Sequence, residues 1–351
     1  MSQVNDILIR GVFDEIVKFR PTLAKYLIAD DDGADVDIRI LADQVIKSYP
    51  WPIGVELRRL FSGSMRSLDR GRLDQLFKTI ERTVQFMSFV MVIELYEEIV
   101  NKKLELDEKF ISQFAPRFTV LSLGNFTWLI RAIGNLFEKK EVHYFMPEMK
   151  GMLHNEFYKS LDFWVPERNE IGHYQINLTQ EEIEKRCVEY ADKLTYILRQ
   201  IAFITKYKLV TIREIKVNKQ RHKDAKYQHW MDILNSSDSD FKSLEEELDN
   251  FSDSKTVLLM KSVKEPKEFL NLSPLIIDTR TEVIDTKEKF NIKKDIFMYT
   301  KYRDHKLMYV GTEVTEKCDL SNLSNYKVLV DDFESLMQKL GSIITVTPSV
   351  I

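Results

Sequence analysis

The spacing of hydrophobic residues predicts helices in the first part of the chain. Between Arg72 and Val100 these residues recur at steps of three and four, which places them along one side of a long helix. They are Leu73, Leu76, Phe77, Ile80, Val84, Met87, Met91 and Leu95. We expect this stripe to pack into a core; a groove that binds a partner is the alternative.

Similar patterns predict helices over most of the first two hundred residues. Pro21 interrupts the first helix, and Pro50-Trp51-Pro52 ends the second, because proline disfavours a helical conformation in the residue before it. The last helix begins at Thr179, which Glu182 follows at the spacing of a capping box. The predicted helices span 2–28, 36–47, 72–100, 107–114, 118–137, 147–163, 166–175 and 179–206.

The pattern changes after residue 208. Hydrophobic and polar residues alternate from Leu209 to Val217, with one slip at Arg213-Glu214, and this alternation predicts a strand. Lys301 to His305 lies between two further strand candidates and predicts a hairpin. These later candidates are strands at 256–260, 274–278, 295–300 and 306–310, followed by a helix at 328–340. A small mixed α+β domain is therefore expected at the C-terminal end.

The predicted fold class is mainly α, with a multi-helix N-terminal two-thirds followed by the small α+β domain. A length of 351 residues favours two or three domains. We divide the chain into an N-terminal helical region at 1–103, a helical domain at 104–207 and the α+β domain at 208–351. Within the last, residues 236–254 are rich in serine and acidic residues and predict an acidic linker.

Composition limits the classes of protein that the chain can belong to. Hydrophobic residues make up 44% and charged residues 30%, as in folded domains, and the net charge of −4 indicates no overall affinity for nucleic acid. Cys187 and Cys318 are the only cysteines, far apart in sequence and with no second thiol at metal spacing. This excludes a disulfide framework or a cysteine-built zinc site and favours the reducing cytoplasm. The most hydrophobic window, Phe86 to Ile93, is far shorter than the roughly 20 residues that span a bilayer. We expect a cytoplasmic protein with no membrane span.

One short segment carries residue types suited to catalysis. In Arg168-Asn169-Glu170-Ile171-Gly172-His173, an asparagine follows the arginine and a histidine lies five positions after it. Histidine exchanges a proton near neutral pH, and the guanidinium binds phosphate oxygens with two N–H groups. Asn169 and His173 share a helical face, so Asn169 can orient the imidazole. Pro166 predicts that a helix begins there, with Arg168 in a first turn that favours phosphate.

This segment resembles the Arg-Asn-x-x-x-His motif of the HEPN superfamily. Leu123-Gly124, the run from Phe157 to Phe163 and the long helix after the motif are also similar, so the resemblance covers about residues 104–207. It implies an all-helical domain that acts as a metal-independent endoribonuclease, in which a homodimer pairs two motifs in a composite cleft. RNA cleavage by attack of the 2′-hydroxyl would leave a 2′,3′-cyclic phosphate and a 5′-hydroxyl, without a cofactor. The implied catalytic residues are Arg168, Asn169 and His173.

The resemblance also implies a toxin or an antiviral-defence effector, with RNA as the substrate and an antitoxin or a sensor protein as a partner. The alternative is a non-catalytic HEPN-like scaffold in a larger defence or regulatory complex, in which Arg168 pairs with Glu170 or another carboxylate. A third possibility is that the α+β domain holds the main activity. Glu167 and Glu170 flank the motif and would repel a phosphate unless they are neutralised. The basic segment 206–226, with nearby aromatic residues, is either a surface that follows phosphates or a solvated face.

Overall fold

A computed structural model of the chain describes residues 3–27, 36–102, 104–173, 178–235, 242–249, 252–264, 268–280, 294–313 and 317–341, with the backbone alone for 171–173. The protein is 57% helical and carries small antiparallel sheets in its C-terminal part. The predicted mainly α fold with a small α+β region is therefore confirmed at this level. Within the described ranges, each helix is too short or too polar to cross a membrane.

The helices agree with most of the predicted ones. Their bounds are α1 Gln3–Phe19, α2 Ile38–Ser48, α3 Trp51–Leu60, α4 Arg70–Lys102, α5 Glu108–Phe118, α6 Leu123–Lys139, α7 Met149–Met152, α8 Asn155–His173, α9 Gln180–Gln200 and α10 Tyr326–Lys339. The capping box at the start of α9 is confirmed, because the Thr179 side chain accepts from the Glu182 amide and the Glu182 carboxylate accepts from the Thr179 amide. Short 3-10 helices occupy 21–27, 63–65 and 202–206.

Helices α3 and α4 differ from the prediction. Helix α3 was not predicted, because Pro50-Trp51-Pro52 indicates a stop; Pro52 instead lies in the first turn of α3, where no backbone donor is needed. Helix α4 is buried around its whole circumference over residues 83–95, rather than along one stripe. The expectation that its hydrophobic residues pack into a core is confirmed.

Within the described ranges, nine strands follow the helical part. Their bounds are β1 Lys208–Asn218, β2 Lys226–Ile233, β3 Lys242–Leu248, β4 Val257–Met260, β5 Phe269–Asn271, β6 Ile276–Asp278, β7 Ile296–Arg303, β8 Lys306–Gly311 and β9 Lys317–Asp319. One sheet has the order β3-β2-β1-β4-β5 and the other β6-β7-β8-β9. The register of β1 against β2 shifts between Ile212 and Glu214, so the predicted slip at Arg213-Glu214 is a β-bulge. The hairpin between β7 and β8 is also confirmed.

The predicted acidic linker is wrong for residues 242–248. These residues form β3, which pairs antiparallel with β2 and places Leu244 opposite Met231. Charged composition indicated a linker, whereas this segment pairs with β2 through the backbone groups along one of its edges. Residues 236–241 and 250–251 of the predicted linker lie outside the described residues.

The chain separates into two compact units. One is built from residues 1–86, 143–254 and 258–269, and the other from 87–142, 255–257 and 270–351, so the units follow neither predicted boundary, at 103 or at 207. In the first, Val210, Ile212 and Met231 form part of a fully buried cluster on the five-stranded sheet. In the second, Phe118 stacks on Phe333 with ring centroids 5.9 Å apart. The motif of helix α8 belongs to the first unit.

Candidate functional site

Helix α8 runs through Pro166 without interruption, from Asn155 to His173. The expectation that a helix begins at Pro166 is therefore wrong, and Arg168 lies near the C-terminal end of α8 rather than in a first turn. Free amides and the positive end of the helix dipole are absent there, so they cannot contribute to phosphate binding. Contacts on both sides of the proline hold the helix together despite the lost hydrogen bond.

The first of these contacts is an aromatic cluster around Trp164. This side chain is fully buried, with ring centroids 5.5 Å from Phe77 of α4 and 5.4 Å from Tyr190 of α9. Phe163 lies 5.6 Å from the Tyr190 ring and completes the cluster. Aromatic pairs at these distances combine large buried area with favourable edge-to-face geometry. The residues immediately before the motif are therefore anchored to two other helices.

Arg168 and Asn169 are both exposed on α8. The Arg168 guanidinium lies 3.8 Å from the Glu81 carboxylate of α4, with 47% and 34% of the two side chains accessible. Surface pairs of this kind contribute little and exchange readily with other anions. His173 is the last residue of α8, one helical turn after Asn169 along the backbone; its side chain lies outside the described residues. Convergence of Arg168 and His173 therefore stays a prediction.

The carboxylates that flank the motif are both bound by Arg186, which the sequence analysis missed and which offsets one of their two negative charges. Nη1 of Arg186 lies 3.3 Å from a carboxylate oxygen of Glu167, and Nη2 lies 3.0 Å from one of Glu170. Tyr190, one turn further along α9, also donates a short hydrogen bond to Glu167. Glu170 is thus bound by α9, and Arg168 pairs with Glu81 instead of Glu170.

Titration behaviour agrees with this arrangement. Burial and the hydrogen bond to Glu167 raise the pKa of the Tyr190 hydroxyl, so it stays a neutral donor at physiological pH. Burial tends to lower the pKa of Arg186, but the hydrogen bond to Glu170 and the negative charges nearby outweigh burial and raise it. Arg186 therefore remains a cation next to both carboxylates.

A cleft of about 600 Å³ lies between α8 and α9, on the N-terminal side of the motif along α8. Its walls include Lys159 and Phe163 from α8, with Lys193 and Tyr196 from α9. The Lys193 ammonium sits over the Phe163 ring, 5.2 Å from its centroid. Glu156, Glu189 and Asp192 also line the cleft, so three carboxylates accompany the two lysines and the cleft has no excess of positive charge for a phosphate.

The basic segment 206–226 does not form a single stacking surface with its aromatic neighbours. Tyr227 and Trp230 lie three residues apart on β2, so they face opposite sides of the sheet. The Lys216 ammonium covers the Trp230 ring at 4.4 Å, and the Tyr207 hydroxyl donates to Glu148. These contacts favour the solvated-face interpretation for this segment.

Two other kinds of catalytic group, a metal centre and the buried Cys187 thiol, are disfavoured in the part of the chain that the structure describes. No group of three or more histidine, cysteine, aspartate or glutamate side chains is placed there to hold a metal ion. Burial raises the pKa of the Cys187 thiol to about 11, so this side chain is not a nucleophile at neutral pH. Comparison with protein-family models, with curated proteins and with solved structures found no match to this chain.

Proposed function

We propose that this protein is a metal-independent endoribonuclease of the HEPN type, with Arg168, Asn169 and His173 as its catalytic residues. The observation that carries the proposal is the exposure of the motif on α8, together with the pairing of the carboxylates beside it. Arg168 and Asn169 are exposed, and the adjacent carboxylates of Glu167 and Glu170 are bound by Arg186. Arg186 offsets one of these two negative charges and so reduces the repulsion that a phosphodiester meets near the Arg168 guanidinium.

RNA supplies its own nucleophile for the proposed reaction. The 2′-hydroxyl loses its proton, its oxygen forms a bond to the adjacent phosphorus, and the bond from phosphorus to the 5′-oxygen breaks. His173 exchanges the protons that this transfer requires, and Arg168 stabilises the charge that develops on the phosphate oxygens. Asn169 orients the imidazole or contacts the phosphate. The products are a 2′,3′-cyclic phosphate and a 5′-hydroxyl.

A homodimer is part of the proposal. On one helix, neighbouring residues diverge by about 100° for each position, so Arg168 and His173 of one chain do not point to one atom directly. Two copies of α8 that face each other would supply two arginines and two histidines to a shared cleft. The proposed biological role is a cytoplasmic toxin or antiviral-defence effector, held in check or activated by an antitoxin or a sensor protein.

The test combines RNA cleavage with growth arrest in cells that express the protein. Purified wild type is expected to cleave single-stranded RNA in the presence of a metal chelator and to leave 2′,3′-cyclic phosphate ends, identified by mass spectrometry. Arg168→Ala removes the stabilisation of charge on the phosphate, and His173→Ala removes the proton transfer. Each variant is expected to reduce the cleavage rate by about 100-fold or more.

Matched controls separate catalysis from general effects of charge. Arg213 is exposed and lies 3.6 Å from the Asp232 carboxylate, which resembles the pair of Arg168 with Glu81. His143 is an exposed histidine outside the motif. Arg213→Ala and His143→Ala should retain wild-type cleavage and growth arrest. If wild type and the motif variants are equally inactive in both assays, the enzyme is refuted, and RNA or protein binding without cleavage would support the scaffold.

A further inference from the structure

Arg186 occupies a distinctive position opposite the motif. Glu167 and Glu170 stand immediately before and after Arg168-Asn169, three positions apart and thus on one side of α8. A single guanidinium from α9 spans both carboxylates, with 22% of the Arg186 side chain accessible. One side chain therefore binds both ends of the turn that presents Arg168.

The charges explain why such a bridge matters for an anionic substrate. Without Arg186, the single positive charge of Arg168 would stand between two carboxylates, and the turn would be negative overall. With Arg186, two cations offset two carboxylates. Glu81 adds a further negative charge on α4 that a phosphate must displace from Arg168. Arg168 and Arg186 together stand against Glu81, Glu167 and Glu170, a net charge of −1 that becomes −2 without Arg186. Arg186 therefore reduces the repulsion that a phosphodiester meets at this turn.

We propose that Arg186 is a positioning residue of the RNA site: it offsets part of the negative charge of Glu167 and Glu170 and holds the turn of α8 so that Arg168 receives the phosphodiester. This inference rests on the proposed ribonuclease function. Arg186 pairs with the carboxylates rather than with the substrate. Arg186 changes the electrostatic potential around Arg168 and fixes the position of this turn of α8.

The geometry also requires arginine in particular. Nη1 donates toward Glu167 and Tyr190, while Nη2 donates to Glu170. The two terminal nitrogens of a planar guanidinium can serve two acceptors in fixed directions, whereas a lysine ammonium is one compact centre on a flexible stem. Arg186→Lys therefore keeps the charge but loses the simultaneous bridge.

The test measures KM and kcat for cleavage of single-stranded RNA, together with equilibrium binding of a 2′-O-methyl strand that cannot be cleaved. Arg186→Ala is expected to raise KM and weaken binding about tenfold at low ionic strength, with a smaller effect at high salt. Adding Glu167→Gln and Glu170→Gln to Arg186→Ala should restore binding, because the repelling charges are gone. Arg199→Ala is the matched control on the same helix, since Arg199 pairs with Glu15 at 3.5 Å.

The double variant Glu167→Gln and Glu170→Gln keeps Arg186 and keeps acceptors for its hydrogen bonds, so it provides a test that does not depend on the stability of Arg186→Ala. It should bind RNA more tightly than wild type. If wild type cleaves RNA while Arg186→Ala keeps the wild-type KM, or if the added glutamines do not rescue it, the role of Arg186 is wrong and the ribonuclease stands. A wild type that neither cleaves nor binds RNA overturns the proposed function and this inference together.

Discussion

Glu81 is expected to compete with RNA for Arg168, and its replacement tests this competition directly. The pair joins α4 to α8 at 3.8 Å, with both side chains partly exposed. A phosphate that binds the guanidinium must displace the carboxylate or share the arginine with it. Glu81→Gln removes the negative charge while leaving a side chain of similar size, so RNA binding should become tighter.

The expected size of the effect follows from the distance and the exposure. Two unit charges at that distance interact by about 1 kcal/mol in water and by about 4 kcal/mol at an effective dielectric constant of 20. Accessible fractions of 47% and 34% place this pair near the aqueous limit, and measured surface pairs contribute about 0.2–1 kcal/mol. Because about 1.4 kcal/mol corresponds to a factor of ten, Glu81→Gln should tighten RNA binding by about 1.4-fold to fivefold.

Equilibrium binding of a non-cleavable strand, measured at several salt concentrations, checks this expectation. Asp232→Asn is the matched control, because it changes the net charge equally and frees Arg213 from a pair at 3.6 Å. The gain for Glu81→Gln should exceed that for Asp232→Asn and shrink as salt rises. Equal affinities for Glu81→Gln and wild type, or equal gains for both variants, would show that Arg168 does not receive the phosphate.

Three further predictions concern the elements that support the site and the second unit. Trp164→Ala should lower the free energy of unfolding by about 3–5 kcal/mol in urea titrations, since it removes a fully buried aromatic side chain; a loss below about 1 kcal/mol would contradict the packing. Pro166→Ala should raise that free energy by about 1–3 kcal/mol, because alanine restores the amide donor inside α8, and a decrease would count against an uninterrupted helix. Hydrogen bonds from Tyr302 and His305 lower the pKa of the Glu334 carboxyl below its ordinary 4.5. These hydrogen bonds therefore stabilise the fold above pH 4.5, and the stabilisation is lost as the pH falls through the pKa of the folded protein. Melting temperatures measured from about pH 6 to pH 3 should therefore fall less steeply for Glu334→Gln than for wild type, and identical profiles would argue against the contact.

Structural features that depend only on residues close together in the chain could be predicted from the sequence. The capping box at Thr179 and Glu182 depends only on residues within one turn, and both of its hydrogen bonds are present. The slip at Arg213-Glu214 likewise predicted the bulge in β1, because a change of phase in an alternating pattern leaves one residue unpaired. Such features need no knowledge of distant parts of the chain.

Elements that depend on tertiary partners could not be predicted in this way. Pro166 indicates the start of a helix, yet packing of Trp164 and the pairs to Arg186 carry α8 across it. The acidic strand β3 was missed because its charges mask the pattern and its structure comes from pairing to β2.

The candidate site also combines residues that the sequence predicted with a residue that only the tertiary packing reveals. The motif identified Arg168 and Asn169, and the structure places both on the surface of one helix. Two acids three apart on α8 could have suggested that a cation lies opposite them, but many cations in the sequence satisfy that description. Only the packing of α8 against α9 selects Arg186.

Strand β3 is an edge strand of the five-stranded sheet and carries Glu245, Glu246 and Glu247 in succession. An incoming strand from another molecule would meet a row of carboxylates at neutral pH, so growth of the sheet into an aggregate is opposed by charge repulsion.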